Sequence, residues 1–340
     1  IGRQRVRALE LGNEPELYGR LPWSRTPTGT PIMGRPASYR RGDWNTDFAR
    51  ARAAMPAYPL AAPATGNFGF LASLGGFLSA EPSVRLVTFH RYPLHRCHTP
   101  PTTVAYPTVP NLLAPVASRG LMQGTAHAIA IAHSHGIPFR VAEMGPVTCG
   151  GTWGVSNSFA SALWVLDALF AIASSGADGV NIQTAPWPGT PNEIFYFHQL
   201  GRQWQGWARP EYYGALMFAQ AAPPGSRLLG LGYAGGSQIR VWATLTPGHQ
   251  IHVVAINASL THAASIHVRL PTAAPATVSR LLAPSAYATG GLTLAGQTFD
   301  ATTTGLPRGS RRTTSLRPSG GRYTLTLPAS SAAMLTVAAH

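Results

Sequence analysis

Across 340 residues there are only twelve acidic side chains, so every carboxylate able to do acid–base work can be weighed by name. Cleavage of a glycosidic bond usually takes two carboxyl groups, one to protonate the leaving oxygen and one to attack or to activate water. Asp167 falls within an amphipathic helical pattern, and Asp43, Asp47, Glu81, Asp178, Glu211 and Asp300 fall in loops or near element ends with no strand leading into them. Glu193 lies in a loop from which it could reach a ligand. Glu10, Glu14, Glu16 and Glu143 remain, on or just past predicted strands. Glu14 closes the apolar run 6–11 within Gly12-Asn13-Glu14-Pro15, where Pro15 stops the strand and Gly12 permits an irregular backbone. Glu143 ends the run 139–143, just before Met144-Gly145-Pro146. In βα barrels the groups that act on a ligand stand at the C-terminal ends of strands. A lone Glu at a strand end is usually structural; two at matching places point to a working pair.

The elements that must hold this pair follow from the apolar patterning. Up to about residue 220, short β-like runs at 6–11, 58–62, 84–89, 139–143 and 179–184 alternate with helical patterns, which predicts βα units on a parallel sheet buried on both faces. The clearest helix carries Phe159, Leu163, Leu166, Phe170 and Ala173 at spacings of four and three, with Ser156 as candidate N-cap and Gly176 as stop. A second helix is expected over 118–134, weakened by Gly120 and Gly124. Beyond about residue 226 the pattern turns to period-two alternation at 238–244, 250–257, 264–270, 292–299, 322–327 and 333–337, with Gly, Pro, Ser and Thr between, and 305–321 as an exposed loop. That predicts an antiparallel β-sandwich. The domains expected are therefore an α/β domain of βα units over 1–225 and an all-β sandwich over 226–340.

Composition narrows the alternatives. A hydrophobic content of 45% suits a chain that buries a core, and the apolar stretch 160–173, broken by Ser161 and Asp167, is too short for a membrane span, which needs about 20 residues. The formal charge of +14 is carried entirely by arginine, and the arginines are scattered apart from Arg40-Arg41 and Arg311-Arg312. Scattered charge reads as a solvated basic surface more readily than as a nucleic-acid footprint. His127, His133 and His135 share no helix face with a carboxylate, no phosphate-cradling glycine motif follows a strand, and Ser156 and Ser158 lack a nucleophile elbow and read as capping residues. No cofactor, metal, nucleic acid or membrane partner is expected. The opening segment reads as the interior of a folded element, without a leader before it, and the chain is expected to be N-terminally incomplete.

The motifs resemble those of glycoside hydrolase family 79, the heparanase and β-glucuronidase family. They are Leu11 to Tyr18 (LGNEPELY), Thr88 to Tyr92 (TFHRY), Glu143 with Cys149-Gly150-Gly151, and Gly154 to Trp164 (GVSNSFASALW), followed by Arg209 to Gly214 (RPEYYG) and Val253 to Ser259 (VVAINAS). The resemblance implies a partial (β/α)8 TIM barrel, its five units corresponding to strands 4 to 8, followed by a sandwich. It implies a retaining exo-β-glycosidase of β-glucuronidase type, acting on carbohydrate, with Glu14 as acid/base and Glu143 as nucleophile. Asn13 would bind the sugar 2-hydroxyl, Tyr92 would orient the nucleophile and His90 would line the pocket; apart from the resemblance, His90 and Tyr92 are equally a satisfied polar pair at a strand end. Thr148 stands where uronidases of the family carry a tyrosine that helps hold the substrate carboxylate, which leaves the amides of Cys149, Gly150 and Gly151 to meet an anion. Cys97 and Cys149 follow strands expected to be neighbours, so a disulfide, and with it export, is predicted against buried free thiols.

Trp153, Trp187, Trp204 and Trp207 could offer stacking faces to a sugar, with core packing as the competing role, which is the better one for Trp164. Two other readings stay open: a carbohydrate-binding protein with a degenerate hydrolase cleft, and an arginine-rich polyanion binder. Sugar identity and oligomeric state are not fixed by the motifs.

Overall fold

The computed structural model describes residues 3–97, 99–184, 189–233 and 236–339. The chain forms two compact units: residues 1–91, 122–144 and 175–182 make the first, and 92–121, 145–174 and 183–340 the second. The division differs from a cut at residue 225, because the helices Phe159–Ser174 and Pro210–Ala221 cluster with the sandwich.

The first unit is built on a five-stranded parallel sheet of β1 (Leu9–Glu10), β4 (Leu60–Thr65), β5 (Val84–Arg91), β6 (Phe139–Met144) and β7 (Gly179–Ile182), in that order. Between β1 and β4 an antiparallel hairpin, β2 (Pro22–Arg25) and β3 (Pro31–Met33), is followed by the helix Arg41–Ala54. Parallel neighbours need crossovers, and the four connections carry the helices Arg41–Ala54, Leu74–Ala80, Ala126–Ser134 and Phe159–Ser174 in turn. All six residues of β4, Thr65 included, are buried, as in a parallel strand covered on both faces. Trp44 and Phe48 pack against Phe77, with ring centroids 5.0 and 5.2 Å away. The single helix expected over 118–134 is two pieces, Pro115–Ser118 in the second unit and Ala126–Ser134 in the first. Gly124 adopts φ +85°, outside the right-handed helix, and separates them.

In the second unit the hairpin β8 (Phe195–Leu200) and β9 (Gln203–Ala208) precedes the helix Pro210–Ala221 and the sandwich. The larger sheet runs β10 (Arg227–Leu228), β11 (Ile239–Leu245), β12 (Gln250–Asn257), then β18 (Ser331–Ala338), β14 (Ala276–Leu282) and β15 (Thr293–Leu294), with β16 (Thr314–Leu316) also on β14; β13 (Ala264–Val268) pairs with β17 (Tyr323–Leu327). Val253, Ala255, Val278, Tyr323, Leu325 and Leu335 share one core, with Ile266 and Val268 packed against it.

The helix Phe159–Ser174 is buried at every position from Phe159 to Ile172, so it is not amphipathic. Its first amides donate to sandwich carbonyls, Phe159 to Ala288 at 2.8 Å and Ala160 to Ala286 at 2.9 Å. Ser156 is therefore not its cap; the Ser156 hydroxyl accepts from Thr152 N at 3.1 Å, and the Ser158 hydroxyl donates to Val155 O at 2.8 Å. The fully buried Asp167 accepts from Ser118 Oγ and from Trp242 Nε1 (2.7 Å), and Arg240 Nε stands 3.0 Å away. Arg240 also donates to Leu113 O. A buried carboxylate is tolerable only when paired and hydrogen-bonded, and this one joins helix to sandwich strand. Among the described residues no helix is long and apolar enough to cross a membrane.

Candidate active site

Glu14 stands in the loop after β1 with a left-handed backbone, φ 49° and ψ 60°. Such a conformation costs a non-glycine residue about 1 kcal/mol or more and persists only where its surroundings impose it. Here Glu14 N donates to Ala64 O at 2.7 Å, and Ala64 N donates to Thr88 Oγ1 at 3.0 Å, so the loop is tied to β4 and through it to β5. Tyr18 Oη accepts from Asn13 N at 3.0 Å, and a Cβ on Gly12, whose φ is +95°, would come within 2.6 Å of that oxygen. The backbone at 12 thus favours glycine, and a side chain there would displace the Tyr18 hydroxyl from Asn13 N.

Glu16, which the elimination of carboxylates retained, has a different task. It accepts from Thr65 Oγ1 at 2.6 Å and from Gly66 N at 2.7 Å. Burial raises its pKa; the bonds from Thr65 and Gly66 oppose the rise and the nearby Glu14 adds to it. Its oxygens brace the loop and are spent there.

His90, 2% exposed, lies on β5 with Nδ1 3.1 Å from Glu14 Oε1 and 3.9 Å from Glu143 Oε2 on β6. One oxygen of each carboxylate and one His90 nitrogen all lie within 4.8 Å of one another. The two carboxylates keep 26% and 29% of their side-chain surface open. Burial pushes the imidazole towards neutrality, but the hydrogen bond to Glu14 and the charges of Glu143, Glu14 and Glu10 outweigh it, and the His90 pKa is raised. A set of one imidazole and two carboxylates is also able to hold a divalent ion. Three strands of one sheet thus converge Glu14, His90 and Glu143, with Asn13 beside Glu14.

Tyr92, Thr148, Gly150, Cys97 and Cys149 belong to the second unit. The Tyr92 ring lies against Gly145, where a Cβ would approach it to 2.8 Å. Thr148 N donates to Leu94 O at 3.0 Å, and Cys149 is bonded to Cys97 with Cα atoms 6.2 Å apart. Gly150 and Gly151 have φ +82° and +88°. Arg96, which no sequence pattern singled out, donates to Gly151 O at 3.1 Å.

Glu193 is buried and paired with Arg209 at 3.0 Å, which removes it as a ligand-reaching acid. Arg209 lies over the Tyr196 and Trp153 rings at 4.5 and 5.1 Å, and Tyr196 stacks on Trp207 at 5.2 Å. Trp153 and Trp204 are exposed, Trp164 is core, and Trp187 lies outside the described residues. His133 pairs with Asp178 at 2.8 Å, and Asp178 also accepts from Phe139 N, a partnership that comes from another element and not from the helix face.

Solved structures of similar fold include several glycoside hydrolases. A 4-O-α-L-rhamnosyl-β-D-glucuronidase from Fusarium oxysporum 12S matches with TM-score 0.77 at 19% identity, over 98% of this chain and 71% of that one. A GH51 α-L-arabinofuranosidase from Thermotoga petrophila RKU-1 (TM-score 0.62, 12% identity) and a GH51 arabinofuranosidase from Xanthomonas axonopodis pv. citri (0.57, 14%) match over 98% of this chain and 66% of their own. At such identities the likeness is one of fold. Residues 243–334 match the glycosyl hydrolase family 79 C-terminal beta domain, so the sandwich carries the mark of that family. No curated protein sequence matches the chain.

Proposed function

We propose that the chain is the catalytic part of a retaining exo-β-glycosidase of glucuronidase type, its five parallel strands corresponding to strands 4 to 8 of a (β/α)8 barrel. The observation that carries this reading is the approach of Glu14 and Glu143, with oxygens within 4.8 Å across His90. Retaining enzymes hold their carboxyl groups about 5 to 5.5 Å apart, whereas inverting ones leave roughly 6.5 to 9.5 Å for a water. In the first step a Glu143 oxygen attacks the anomeric carbon, the bond to the leaving oxygen breaks, and Glu14 gives that oxygen its proton. In the second, Glu14 takes a proton from water, the water oxygen bonds to the anomeric carbon, and Glu143 leaves. Asn13 meets the sugar 2-hydroxyl. Tyr92, Thr148 and the amides of the 149–151 loop are the proposed contacts for a uronate. The family 79 domain and the likeness to a glucuronidase support that sugar class. The disulfide supports export from the reducing cytosol.

The test is hydrolysis of 4-nitrophenyl β-glycosides, headed by the glucuronide, by the gene product that carries this chain, with NMR of the first-formed anomer. Turnover is expected with retained configuration, to fall at least about 100-fold in Glu14→Gln and to vanish in Glu143→Gln. An inverted product would reject the double displacement, and activity lost on dialysis against a chelator would turn Glu14, His90 and Glu143 into metal ligands. Sugar binding without turnover, unaltered in Glu143→Gln, would favour the binding protein.

A further inference from the structure

We propose that the cleft beside Glu14 is an apolar leaving-group subsite, which fits the enzyme to β-glycosides of hydrophobic alcohols or phenols; the assignment rests on Glu14 being the acid. The cleft measures about 820 Å³ and runs from Asn13 and Glu14 to the β2–β3 hairpin. Of the two catalytic carboxylates only Glu14 lines it. The group that protonates the departing oxygen faces the leaving alcohol, so a cleft that opens from Glu14 is where that alcohol would lie. Its walls are Leu17, Leu21, Trp23, Ile32 and Met33. Trp23 is 84% exposed, Leu21 50% and Ile32 46%, so the described residues leave these large apolar side chains unburied along the cleft. The hairpin register shifts between Pro22 and Ser24, around Trp23, an irregularity of the kind that re-aims a side chain.

Beyond Asn13 and Glu14, the polar side chains along the cleft are Tyr18 and Arg35, and both already have partners. Arg35 donates to Asp47 at 2.8 Å and to Gly34 O at 2.9 Å, and the Tyr18 hydroxyl holds Asn13 N. A sugar in the leaving position would need side-chain hydrogen bonds along its length; an apolar aglycone needs surface to cover, and this cleft offers surface.

Methyl and octyl β-glycosides of the glycone that the panel identifies have leaving alcohols of nearly equal acidity, so the ratio of their kcat/KM reads contact beyond the scissile oxygen. We expect the octyl glycoside to be favoured roughly 10- to 100-fold, from the apolar area covered. The ratio should fall below about threefold in Trp23→Ala and shrink in Ile32→Thr, which keeps a β-branched residue in the strand, while Trp23→Phe retains most of it. A flat ratio in the native chain overturns the proposal. Silence across every glycoside overturns the glycosidase reading and the leaving-group role with it. Titration of the full chain with 2-naphthol then decides the cleft alone: saturable binding lost in Trp23→Ala keeps it as an apolar ligand site, and no binding removes that too.

Discussion

An imidazole between two carboxylates makes His90 the residue through which pH reaches the site. Its folded pKa lies above 6.5, since its bond to Glu14 and the charges of Glu143, Glu14 and Glu10 overcome burial. Below 6.5 the ring is protonated folded or unfolded, and the attraction contributes fully to stability. As pH rises through the raised folded value the ring loses its proton and that contribution is lost. The melting temperature of the native chain should therefore exceed that of His90→Gln by most at and below pH 6.5 and by less at each step above it. A difference that stays constant from pH 5.5 to 8.5 would mean that the ring does not titrate against its neighbours. The residues of this trio were legible in sequence because each ends or occupies an apolar strand run. The task of Glu16 was not, since its partners Thr65 and Gly66 lie about fifty residues along the chain.

Among the elements, the helix Pro210–Ala221 shows burial deciding against a favourable position. Pro210 at its start suits the missing amide, and Glu211 in the first turn would gain about 0.3 to 1 kcal/mol from the helix dipole if charged. Yet Glu211 is 2% exposed, its Oε1 has no hydrogen-bond partner among the described residues, and burial pushes its pKa to about 8. The folded chain keeps this proton between 4.5 and 8 while the unfolded chain gives it up. Stability is full below 4.5 and declines as pH rises to about 8, by roughly 3 kcal/mol at pH 7. Glu211→Gln should remove the decline, so its urea midpoint should pull ahead of the native one between pH 5 and 7.5. Equal midpoints at both pH values would place the carboxylate in contact with a compensating charge. Other elements escaped the patterning for related reasons. β14 hides its alternation because Ser279 is buried beside Arg280, which reaches across to Thr326 O at 2.7 Å. The hairpin β2–β3 and strand β8 turn apolar residues outward, so no core-facing period marks them.

For the molecule as a whole, the change from alternating strands and helices to period-two strands near residue 226 is real in sequence, but it is not where the contacts divide. Composition registers which element a residue builds; it does not register which neighbours that element needs. Asp167 read as one polar position in a helix, whereas it is the buried partner of Arg240 and Trp242 on β11. Trp242 also stacks on Phe170 at 5.5 Å, and the Ala286 and Ala288 carbonyls take the first amides of that helix. A fragment 226–340 cut at the compositional boundary would therefore expose Trp242 and leave Arg240 without its counter-charge, and stripping one partner from a buried ion pair costs about 3 to 5 kcal/mol. Against a net stability of about 5 to 15 kcal/mol for a typical domain, that loss, added to the apolar surface uncovered, is enough to abolish cooperative folding. The fragment should melt without a sharp transition and bind a hydrophobic dye, whereas a fragment from 145 onwards, which restores the Phe159–Ser174 and Pro210–Ala221 helices, should recover part of the transition. Cooperative melting of 226–340 by itself would show that the sandwich does not need the helix that Asp167 fastens to it.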